Sequence, residues 1–176
     1  MNAIERVAAY MHEHSLQLVT AESCTAGLIA ATLADIPGAG ALLDCAFVTY
    51  SPQAKQKCLG VAARTLQRHN LTSEAVAREM ALGAARNSPA NVAISNTGVT
   101  DGTDPDIPAG TQCYAWVFKA GPADGAPAVY TETTRFDGDR NAIRRASAQH
   151  ALARMIAYHE QWQNGVPPSP SGAGSG

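Results

Sequence analysis

The sequence predicts an α/β fold: a three-layer α/β/α sandwich with a mixed, mostly parallel sheet covered by helices on both faces. Short β-rich segments alternate with amphipathic helical segments over most of the chain, an order typical of parallel strands joined by helical crossovers. Two β-rich segments then follow one another directly before the last helical segment. They add an antiparallel pair, which makes the predicted sheet mixed.

In the first half of the chain the predicted helices and strands alternate regularly. They are a helix over residues 2–14, a strand over 16–20, a helix over LIAATLADI, a strand over 45–50 and a short helix over QAKQKCLG. Pro37 and Gly38 suit a chain reversal after the second helix. Gly60 is expected to end the third helix, because glycine readily adopts the backbone conformation of a C-cap.

The second half of the chain begins with a helix that opens at Thr72. Ser73 is its expected N-cap, and Glu74 lies where the helix dipole favours an anion. The remaining predicted elements are a strand over 91–96, two antiparallel strands over 112–118 and 128–136, and a helix from Asp139 that buries Ile143, Ala146, Leu152, Met155 and Ile156. The strands at 112–118 and 128–136 are the pair that makes the sheet mixed.

The length and charge of the chain limit its organisation and its partners. A chain of 176 residues suits one domain and is too short for two ordinary ones. We expect residues 1–163 to form this domain, and residues 164–176, which have almost nothing to bury, to be a disordered tail. A formal net charge of −2 and a pI near 6.2 give no general attraction to phosphate polymers, so no nucleic-acid partner is expected.

The cysteines indicate a reducing compartment. Cys24, Cys45, Cys58 and Cys113 are scattered, without a C-x-x-C pair and without histidines at zinc spacing. Neither a disulfide framework nor a metal site is therefore expected. The N-terminal segment has no leader signature, and no apolar run is long enough to span a membrane. The sequence thus predicts a cytoplasmic protein with no membrane partner.

The segment AESCTAG lies between a predicted strand and a predicted helix. In open α/β sheets, sites gather at the carboxyl ends of strands, where helix N-termini present free N–H groups. Ser23 is therefore a candidate nucleophile, with those N–H groups stabilising the oxyanion of a tetrahedral intermediate. A purely structural alternative is that Ser23 or Thr25 caps the helix. Cys24 is a second candidate nucleophile, although no histidine stands out as its partner.

A serine nucleophile needs a base, and Lys55 follows the second predicted strand in the segment YSPQAK. A lysine acts as a base only if burial or nearby positive charge lowers its pKa toward neutrality. The common alternative is a solvated lysine, and Lys57 is an equally available candidate. The segment by itself is a weak signal for catalysis.

Two further segments carry candidate contacts. Arg140 and Arg144 are four residues apart at the start of the last helix and share one face. Cations at that end oppose the helix dipole, which suits either a bound anion or ordinary pairs with Asp137 or Asp139. The loop over 97–111 is rich in Gly, Pro and Asp, and its aspartates are interpreted as turn-forming residues and not as cation ligands.

Taken together, these segments resemble the C-terminal domain of the competence/damage-inducible CinA family, whose stand-alone members are nicotinamide-nucleotide amidases. The matching stretches are TAESCTAGLIAATLADIPGAG, FVTYSPQAKQKCLGV, TSEAVAREMALGA, SNTG with the later PAGT, and FDGDRNAIR. They occur in the family's order and span roughly residues 15–156. The combination of AESCT-x-G with YS-x-x-AK is specific.

The resemblance implies a serine amidohydrolase that converts nicotinamide mononucleotide to nicotinic acid mononucleotide and ammonia, without a metal or a cofactor. On the matched motifs, Ser23 would be the nucleophile and Lys55 its general base, with Tyr50 assisting proton transfer or positioning Lys55. The residues that the resemblance places in substrate binding are Thr25, Gly27, Thr97, Gly98, Arg140 and Arg144. It also implies a homo-oligomer, a dimer or higher.

Two departures from the family pattern keep two alternatives open. Ala26 stands where the family usually has glycine, and the loop after Gly98 carries three aspartates where the family has a glycine-rich stretch. One alternative is a catalytically silent module for nucleotide binding or protein interaction. The other is an amidase for a different small carboxamide.

Overall fold

The computed structural model describes residues 1–120 and 125–170. Within them the strands are β1 (Leu18–Glu22), β2 (Leu43–Val48), β3 (Val92–Gly98), β4 (Thr111–Phe118) and β5 (Ala128–Arg135). The helices are α1 (Ala3–Glu13), α2 (Leu28–Ala34), α3 (Pro52–Leu59), α4 (Ala63–Arg68), α5 (Glu74–Arg86) and α6 (Arg140–Gln163). All the predicted helices and strands are present, in the predicted order, and α4 is an addition to them.

The strands form one sheet in the order β2-β1-β3-β4-β5. β1 pairs in parallel with both β2 and β3, whereas β4 runs antiparallel to β3 and to β5. Four strands therefore run in one direction and β4 alone is reversed, so the predicted mixed, mostly parallel sheet is confirmed. Glu22 at the end of β1 lies opposite Val48 of β2 and Asn96 of β3, which brings the carboxyl ends of these strands to one edge.

One face of the sheet packs against α1, α2 and α6. Its core is built from large side chains, among which Tyr114, Trp116 and Phe118 of β4 are fully buried. Leu152 and Met155 of α6 pack into the same layer. Burying a side chain of this size contributes on the order of 2 kcal/mol, so this layer holds the long helix α6 firmly on the sheet.

The opposite face packs against α3 and α5 through small side chains, many of them alanines of α5. Gly83 of α5 lies against the end of α3, where a Cβ atom would collide with the backbone carbonyl of Leu59. Only glycine therefore allows the two helices to approach this closely. Helices thus cover both faces of the sheet, and the predicted three-layer sandwich is confirmed.

The predicted helix ends are observed with their expected chemistry. The Ser73 hydroxyl accepts a hydrogen bond from the Val76 N–H at 3.2 Å and begins α5. Gly60 ends α3 with a φ of 68°, in the left-handed region that favours glycine. At the start of α6, the Asp139 carboxylate accepts from the Ala142 N–H at 2.8 Å. These ends were predictable because each depends on residues that are neighbours in sequence.

Helix α4 has no such local signal. Its N-cap, Ala62, offers no side-chain acceptor to the free N–H groups of the first turn. Glu79 of α5 replaces the missing cap, accepting from the Ala62 N–H at 2.8 Å and from the Thr65 hydroxyl at 2.7 Å. The helix therefore depends on a contact with a residue that is distant in sequence.

Every helix and strand of the described residues lies within 1–163, the interval predicted for the domain. The predicted disorder of 164–176 falls in part on 171–176, which lie outside the described residues, and it stays a prediction. At the start of this segment the Tyr130 hydroxyl donates to the Val166 carbonyl at 2.8 Å. In the part of the chain that the structure describes, no helix combines the length and the apolar character needed to cross a bilayer.

A half-buried carboxylate joins α6 to β5 on one face of the sheet. Glu132 accepts hydrogen bonds from the Tyr158 hydroxyl at 2.6 Å and from the Arg154 Nε at 2.9 Å, and it contacts His150 at 2.6 Å. Burial alone would raise the pKa of Glu132, but the hydrogen bonds from Tyr158 and His150 outweigh it and lower the pKa to about 2.

We expect Glu132→Gln to lower the free energy of unfolding by about 2 kcal/mol at pH 7. Because the folded-state pKa is depressed, this contribution is complete above the unfolded-state pKa of about 4.5 and is lost as the pH falls through about 2. Urea denaturation at pH 7 and at pH 3 measures it, and the difference from wild type should shrink at pH 3.

Glu13→Gln is the matched control, because Glu13 is exposed at the end of α1. It should change the free energy of unfolding by less than about 0.5 kcal/mol at either pH. Equal effects of the two substitutions would contradict a stabilising role of the Glu132 cluster.

Candidate active site

A cavity of about 470 Å³ opens at the edge of the sheet where β1, β2 and β3 end. Its walls come from segments that follow these strands, from the connection between α4 and α5, and from the first residue of α6. The lining residues are Ser23, Cys24, Tyr50, Asn70, Leu71, Thr72, Thr97, Gly98, Val99, Thr100, Asp101, Thr103, Asp104 and Arg140.

Ser23 and Lys55 meet at the floor of this cavity. The Lys55 Nζ lies 3.0 Å from the Ser23 Oγ, although the residues are 32 positions apart in sequence. Ser23 follows β1 directly, and its N–H donates to the Asn96 carbonyl of β3 at 3.0 Å. Lys55 lies in the first turn of α3, which Ser51 caps by accepting from the Ala54 N–H at 3.0 Å. The structure therefore brings the expected nucleophile and base together.

The amine of Lys55 is buried, with only 1% of the residue exposed. Besides Ser23 Oγ, its contacts are the backbone carbonyls of Thr49 at 2.5 Å and Tyr50 at 3.1 Å. Within the described residues no carboxylate lies at ion-pair distance from it. Burial therefore lowers the pKa of Lys55 to about 8.

This geometry suits a neutral amine. The two N–H bonds of a neutral Lys55 have acceptors in the Thr49 and Tyr50 carbonyls. The remaining lone pair is then free to accept the hydroxyl proton of Ser23 at 3.0 Å. A hydroxyl and a neutral amine in direct contact are an activated nucleophile and its general base.

Glu22 caps the helix that follows Ser23, a role that sequence reasoning had considered for Ser23 or Thr25. Its fully buried carboxylate accepts from the N–H groups of Gly27, Ile29 and Ala30 at 2.8–3.1 Å. The capping alternative for Ser23 and Thr25 is therefore wrong. The same bonds occupy N–H groups at the start of α2, so these groups are not available to an oxyanion, contrary to the expectation.

A buried amide network holds the Ser23 segment from the sheet side. The Asn96 Oδ1 accepts from the Thr25 N–H at 3.1 Å, and its Nδ2 donates to the Gln112 Oε1 at 2.8 Å and to the Ser147 Oγ at 3.1 Å. Sequence reasoning missed Asn96 and Gln112 as well as Glu22. The sequence contained one indication of these residues: each is a polar side chain near one end of a mostly apolar strand.

The expected substrate-binding residues divide into two groups. Thr97, Gly98 and Arg140 line the cavity, together with Tyr50, whereas Thr25, Gly27 and Arg144 do not. The Arg144 guanidinium donates to the carbonyls of Cys24 at 2.9 Å and Thr25 at 3.4 Å. Arg144 therefore supports the backbone of the Ser23 segment from behind, a placement different from the expected contact with substrate.

Four of the lining residues are held by hydrogen bonds or by close packing. The Thr97 hydroxyl donates to the Leu71 carbonyl at 2.8 Å, and the Arg140 Nη1 donates to the Thr100 hydroxyl at 2.9 Å. Tyr50 is 54% exposed, so its phenol lies at the mouth of the cavity while its carbonyl accepts from Lys55. At Gly98 a Cβ atom would collide with the Gln112 side chain.

Cys24 is poorly suited to be the nucleophile. Burial raises the pKa of its thiol, and a hydrogen bond from the Gln112 amide at 3.5 Å does not reverse that effect. The thiol is therefore protonated at neutral pH, whereas a nucleophilic cysteine acts as the thiolate. Ser23 remains the nucleophile that the geometry favours.

The loop between β3 and β4 is organised by its aspartates. The Asp101 carboxylate accepts from the Thr103 hydroxyl at 2.7 Å and from its N–H at 3.2 Å, and Asp104 accepts from the Asp106 N–H at 2.9 Å. Such side chain-to-backbone bonds form tight turns, as the sequence predicted. Among the described residues no three His, Cys, Asp or Glu side chains are grouped as metal ligands.

Known proteins share this fold and sequence. The sequence model of the family described as CinA C-terminal domain matches residues 2–159. A crystal structure of the competence damage-inducible protein A from Klebsiella pneumoniae superimposes with a TM-score of 0.83 and 32% identity, covering 92% of this chain and 97% of that one. The nicotinamide-nucleotide amidohydrolase PncC of Escherichia coli K12 is 36% identical over 157 residues, which cover 88% of this chain and 92% of that protein.

Other relatives are much longer than this chain. A CinA-like protein of Akkermansia muciniphila is 37% identical over 152 residues, which are 85% of this chain but 35% of that protein. The chain likewise spans 37% of the length of two further curated relatives. The similarity to PncC, in contrast, covers nearly the full length of both proteins.

Ala26, which stands between Thr25 and Gly27, has a φ of 48°, in the left-handed region. A side chain in that region costs about 1–2 kcal/mol, whereas glycine adopts it freely at some cost in unfolded-state entropy. We expect Ala26→Gly to raise the free energy of unfolding by about 0.5–1 kcal/mol, measured by urea denaturation.

Ala31→Gly is the matched control, because Ala31 is exposed inside α2 and has helical backbone geometry. That substitution should lower the free energy of unfolding by about 1 kcal/mol. A loss of stability in Ala26→Gly equal to that in Ala31→Gly would rule out strain at position 26.

Proposed function

The chain belongs to the CinA C-terminal domain family, and we propose that it is a serine amidohydrolase that cleaves the carboxamide of a pyridine nucleotide. The reaction assigned to it converts nicotinamide mononucleotide and water to nicotinic acid mononucleotide and ammonia. One observation carries the proposal: the Ser23 Oγ lies 3.0 Å from a buried amine that has no carboxylate partner among the residues that the structure describes. The name of the full-length relative PncC, a nicotinamide-nucleotide amidohydrolase, supports the same chemistry.

In the first step the neutral amine of Lys55 takes the hydroxyl proton as the Ser23 Oγ attacks the carboxamide carbon. The C–O bond forms while the carbonyl π bond shifts its electron pair to oxygen, which gives a tetrahedral oxyanion. Direct contact between the two groups allows this transfer without an intervening water. Because burial lowers the pKa of Lys55 to about 8, a far larger fraction of this amine is neutral near neutral pH than of a solvated lysine.

The oxyanion needs hydrogen-bond donors that are free before the reaction. The N–H groups of Gly27, Ile29 and Ala30 are bound to Glu22, so we assign this role to the N–H of Cys24. It adjoins the nucleophile and makes no hydrogen bond within the described residues. A free N–H of this kind stabilises an oxyanion by several kcal/mol in serine hydrolases, on the order of 3 kcal/mol.

Collapse of the intermediate breaks the carbon–nitrogen bond. Lys55, now an ammonium group, gives its proton to the departing nitrogen, and ammonia leaves an ester on the Ser23 Oγ. The neutral amine then deprotonates a water molecule that attacks this ester, and the reverse transfer restores the Ser23 hydroxyl. A single base therefore serves both halves of the reaction, as microscopic reversibility requires.

The remaining lining residues are assigned to binding. Arg140 is the one cationic side chain in the cavity lining of the described residues, and we place it against the ribose end of the substrate. Thr97 is assigned to the wall, because its hydroxyl is already bound to the Leu71 carbonyl. Gly98 is assigned to the same wall, where the absence of a side chain leaves room for Gln112 behind it, and Tyr50 is assigned to the mouth.

The assembly and location of the protein complete the proposal. We keep the homo-oligomer as a prediction, which light scattering on the purified protein tests. The cysteines Cys24, Cys45, Cys58 and Cys113 are all free thiols, a state that fits a reducing compartment, and we assign the protein to the cytoplasm. No nucleic-acid partner is proposed.

We expect Ser23→Ala to lower ammonia release from nicotinamide mononucleotide at least about a thousandfold, because the reaction then lacks its nucleophile. Mass spectrometry of the product acid measures it, and urea denaturation checks that the variant is folded. Turnover near the wild-type rate would remove Ser23 from the mechanism. Tight binding without turnover in the wild type would favour a silent binding module.

Lys55→Ala should abolish turnover to a similar extent, and Lys55→Arg should too, because a guanidinium group does not lose its proton. Lys57→Ala is the matched control: Lys57 is exposed on the same helix, and its substitution should change kcat/KM by less than about twofold. An effect of Lys57→Ala equal to that of Lys55→Ala would contradict the assignment.

The pH dependence gives an independent readout of the base. Since Lys55 must be neutral and its pKa is about 8, kcat/KM for the wild type should rise about tenfold per pH unit up to pH 8 and then level off. A flat profile between pH 6 and pH 9 would exclude a titrating lysine as the general base.

A further inference from the structure

We propose that Asn70 is a positioning residue for the candidate active site. Together with Asp104 it forms a latch, a side-chain hydrogen bond that holds the middle of the loop between β3 and β4, residues 101–107, in place as a wall of the cavity. The closed latch gives the cavity its substrate-binding shape and takes no part in the chemistry at Ser23. Its effect on kinetics rests on the proposed amidohydrolase function, whereas the latch itself is testable without turnover.

The latch bridges two walls of the cavity. Asn70 belongs to the connection between α4 and α5, and Asp104 belongs to the loop between β3 and β4. The Asn70 Nδ2 donates to the Asp104 Oδ2 at 2.8 Å, across 34 positions of sequence. Both residues line the cavity and are half-buried, so the bond is partly shielded from water. Its acceptor is a carboxylate, which makes it stronger than a bond between two neutral groups.

The middle of the loop has no second tie of this kind. Within the described residues, the latch is the one hydrogen bond that joins 101–107 to the rest of the protein. The other hydrogen bonds of the segment are internal, such as those that Asp101 accepts from Thr103 and that Asp104 accepts from the Asp106 N–H. Internal bonds shape a turn but do not attach it to its surroundings.

Both ends of the loop are fixed independently of the latch. At the first end the Thr100 hydroxyl accepts from the Arg140 Nη1 at 2.9 Å. At the second end the Ala109 carbonyl accepts from the Arg135 Nε at 2.8 Å. Opening of the latch would therefore release the middle of the loop while its ends stay in place.

The Asn70 side of the latch is itself anchored. Its Oδ1 accepts from the Thr72 N–H at 2.9 Å, which fixes the amide so that its Nδ2 faces Asp104. The Leu71 carbonyl accepts from the Thr97 hydroxyl at 2.8 Å, which ties this connection to the end of β3. A donor on a fixed wall thus holds the loop segment in position.

The catalytic pair does not depend on this loop segment. The Lys55 Nζ contacts the Ser23 Oγ and two backbone carbonyls, and the Ser23 N–H donates to the Asn96 carbonyl. None of these contacts involves 101–107. An open latch should therefore weaken substrate binding and raise KM, while kcat stays near its wild-type value. If the wall is in place in only a fraction of the molecules, the apparent affinity falls by that fraction.

The test exchanges the two side chains of the latch. In Asn70→Asp a second carboxylate faces Asp104 and repels it. In Asp104→Asn the new amide cannot accept both from the Asp106 N–H and from the Asn70 Nδ2, because an NH2 group replaces one of its two oxygens. The double variant Asn70→Asp/Asp104→Asn again sets a donor opposite an acceptor, and the Thr72 and Asp106 N–H groups keep their acceptors.

We expect each single substitution to raise KM for nicotinamide mononucleotide about five- to tenfold with kcat within about twofold of wild type, and the double variant to recover the wild-type KM within about twofold. The two single substitutions change the charge of the cavity in opposite directions, so an effect of charge alone would raise KM in one and lower it in the other. Such opposite changes would overturn the inference. So would an unchanged KM in both single variants, or a double variant no better than they are.

Hydrogen exchange tests the latch without turnover. Mass spectrometry of a peptide that contains residues 101–107 should show at least about threefold faster exchange in each single variant and wild-type exchange in the double variant. Unchanged exchange in the single variants would overturn the inference even if KM rises. A wild type that releases no ammonia would refute only the proposed function, and the exchange rates would then decide on the latch by themselves.

Asp106→Asn is the matched control, because Asp106 is exposed in the same loop and lies outside the cavity lining. It removes one negative charge, as Asp104→Asn does, but leaves the latch in place. Its KM and its exchange rate should stay within about twofold of the wild-type values. An effect as large as that of Asp104→Asn would contradict the latch.

Discussion

The site depends on one constraint: the amine of Lys55 is buried, and over residues 1–120 and 125–170 no carboxylate pairs with it. Burial in a folded protein disfavours an ammonium group, and this lowers the pKa of Lys55 to about 8. The carbonyls of Thr49 and Tyr50 satisfy the N–H groups of the neutral form. Lys55 lies on α3, which packs closely against Gly83 of α5 through the backbone of Leu59, so the amine is carried by a helix held in the core.

The Ser23 segment is fixed by groups that never reach the cavity. Glu22 binds the N–H groups of the following helix, Asn96 binds the Thr25 N–H, and Arg144 binds the Cys24 carbonyl. All of these contacts act on the backbone, so they set the position of the hydroxyl and not its reactivity. A substitution of Glu22, Asn96 or Arg144 would therefore lengthen the distance between the Ser23 hydroxyl and the Lys55 amine. Proton transfer requires this distance to be short.

The sequence predicted those features whose causes are local or follow from the order of elements. Alternating strands and helices placed the carboxyl ends of β1, β2 and β3 at one edge, and the motifs put Ser23 and Lys55 there. The supporting contacts escaped prediction because their partners are distant in sequence: Glu79 caps α4, and Gln112 joins Asn96. Arg144 shows the same limit of prediction. Its spacing from Arg140 gives the face of α6 on which it lies, but not that this face contacts the backbone of Cys24 and Thr25.

The catalytic pair, Ser23 and Lys55, and the charged residues of the cavity lining, Asp101, Asp104 and Arg140, belong to different segments of the site. Burial is the cause of the lowered pKa of Lys55, with no contribution from a neighbouring charge. Asp101 and Asp104 line the same cavity, and neither makes an ion pair with Lys55. Had either carboxylate stood beside Lys55, it would have raised the pKa of the amine and weakened the base. The basicity of Lys55 therefore depends on its burial and not on the charges of the loop after β3.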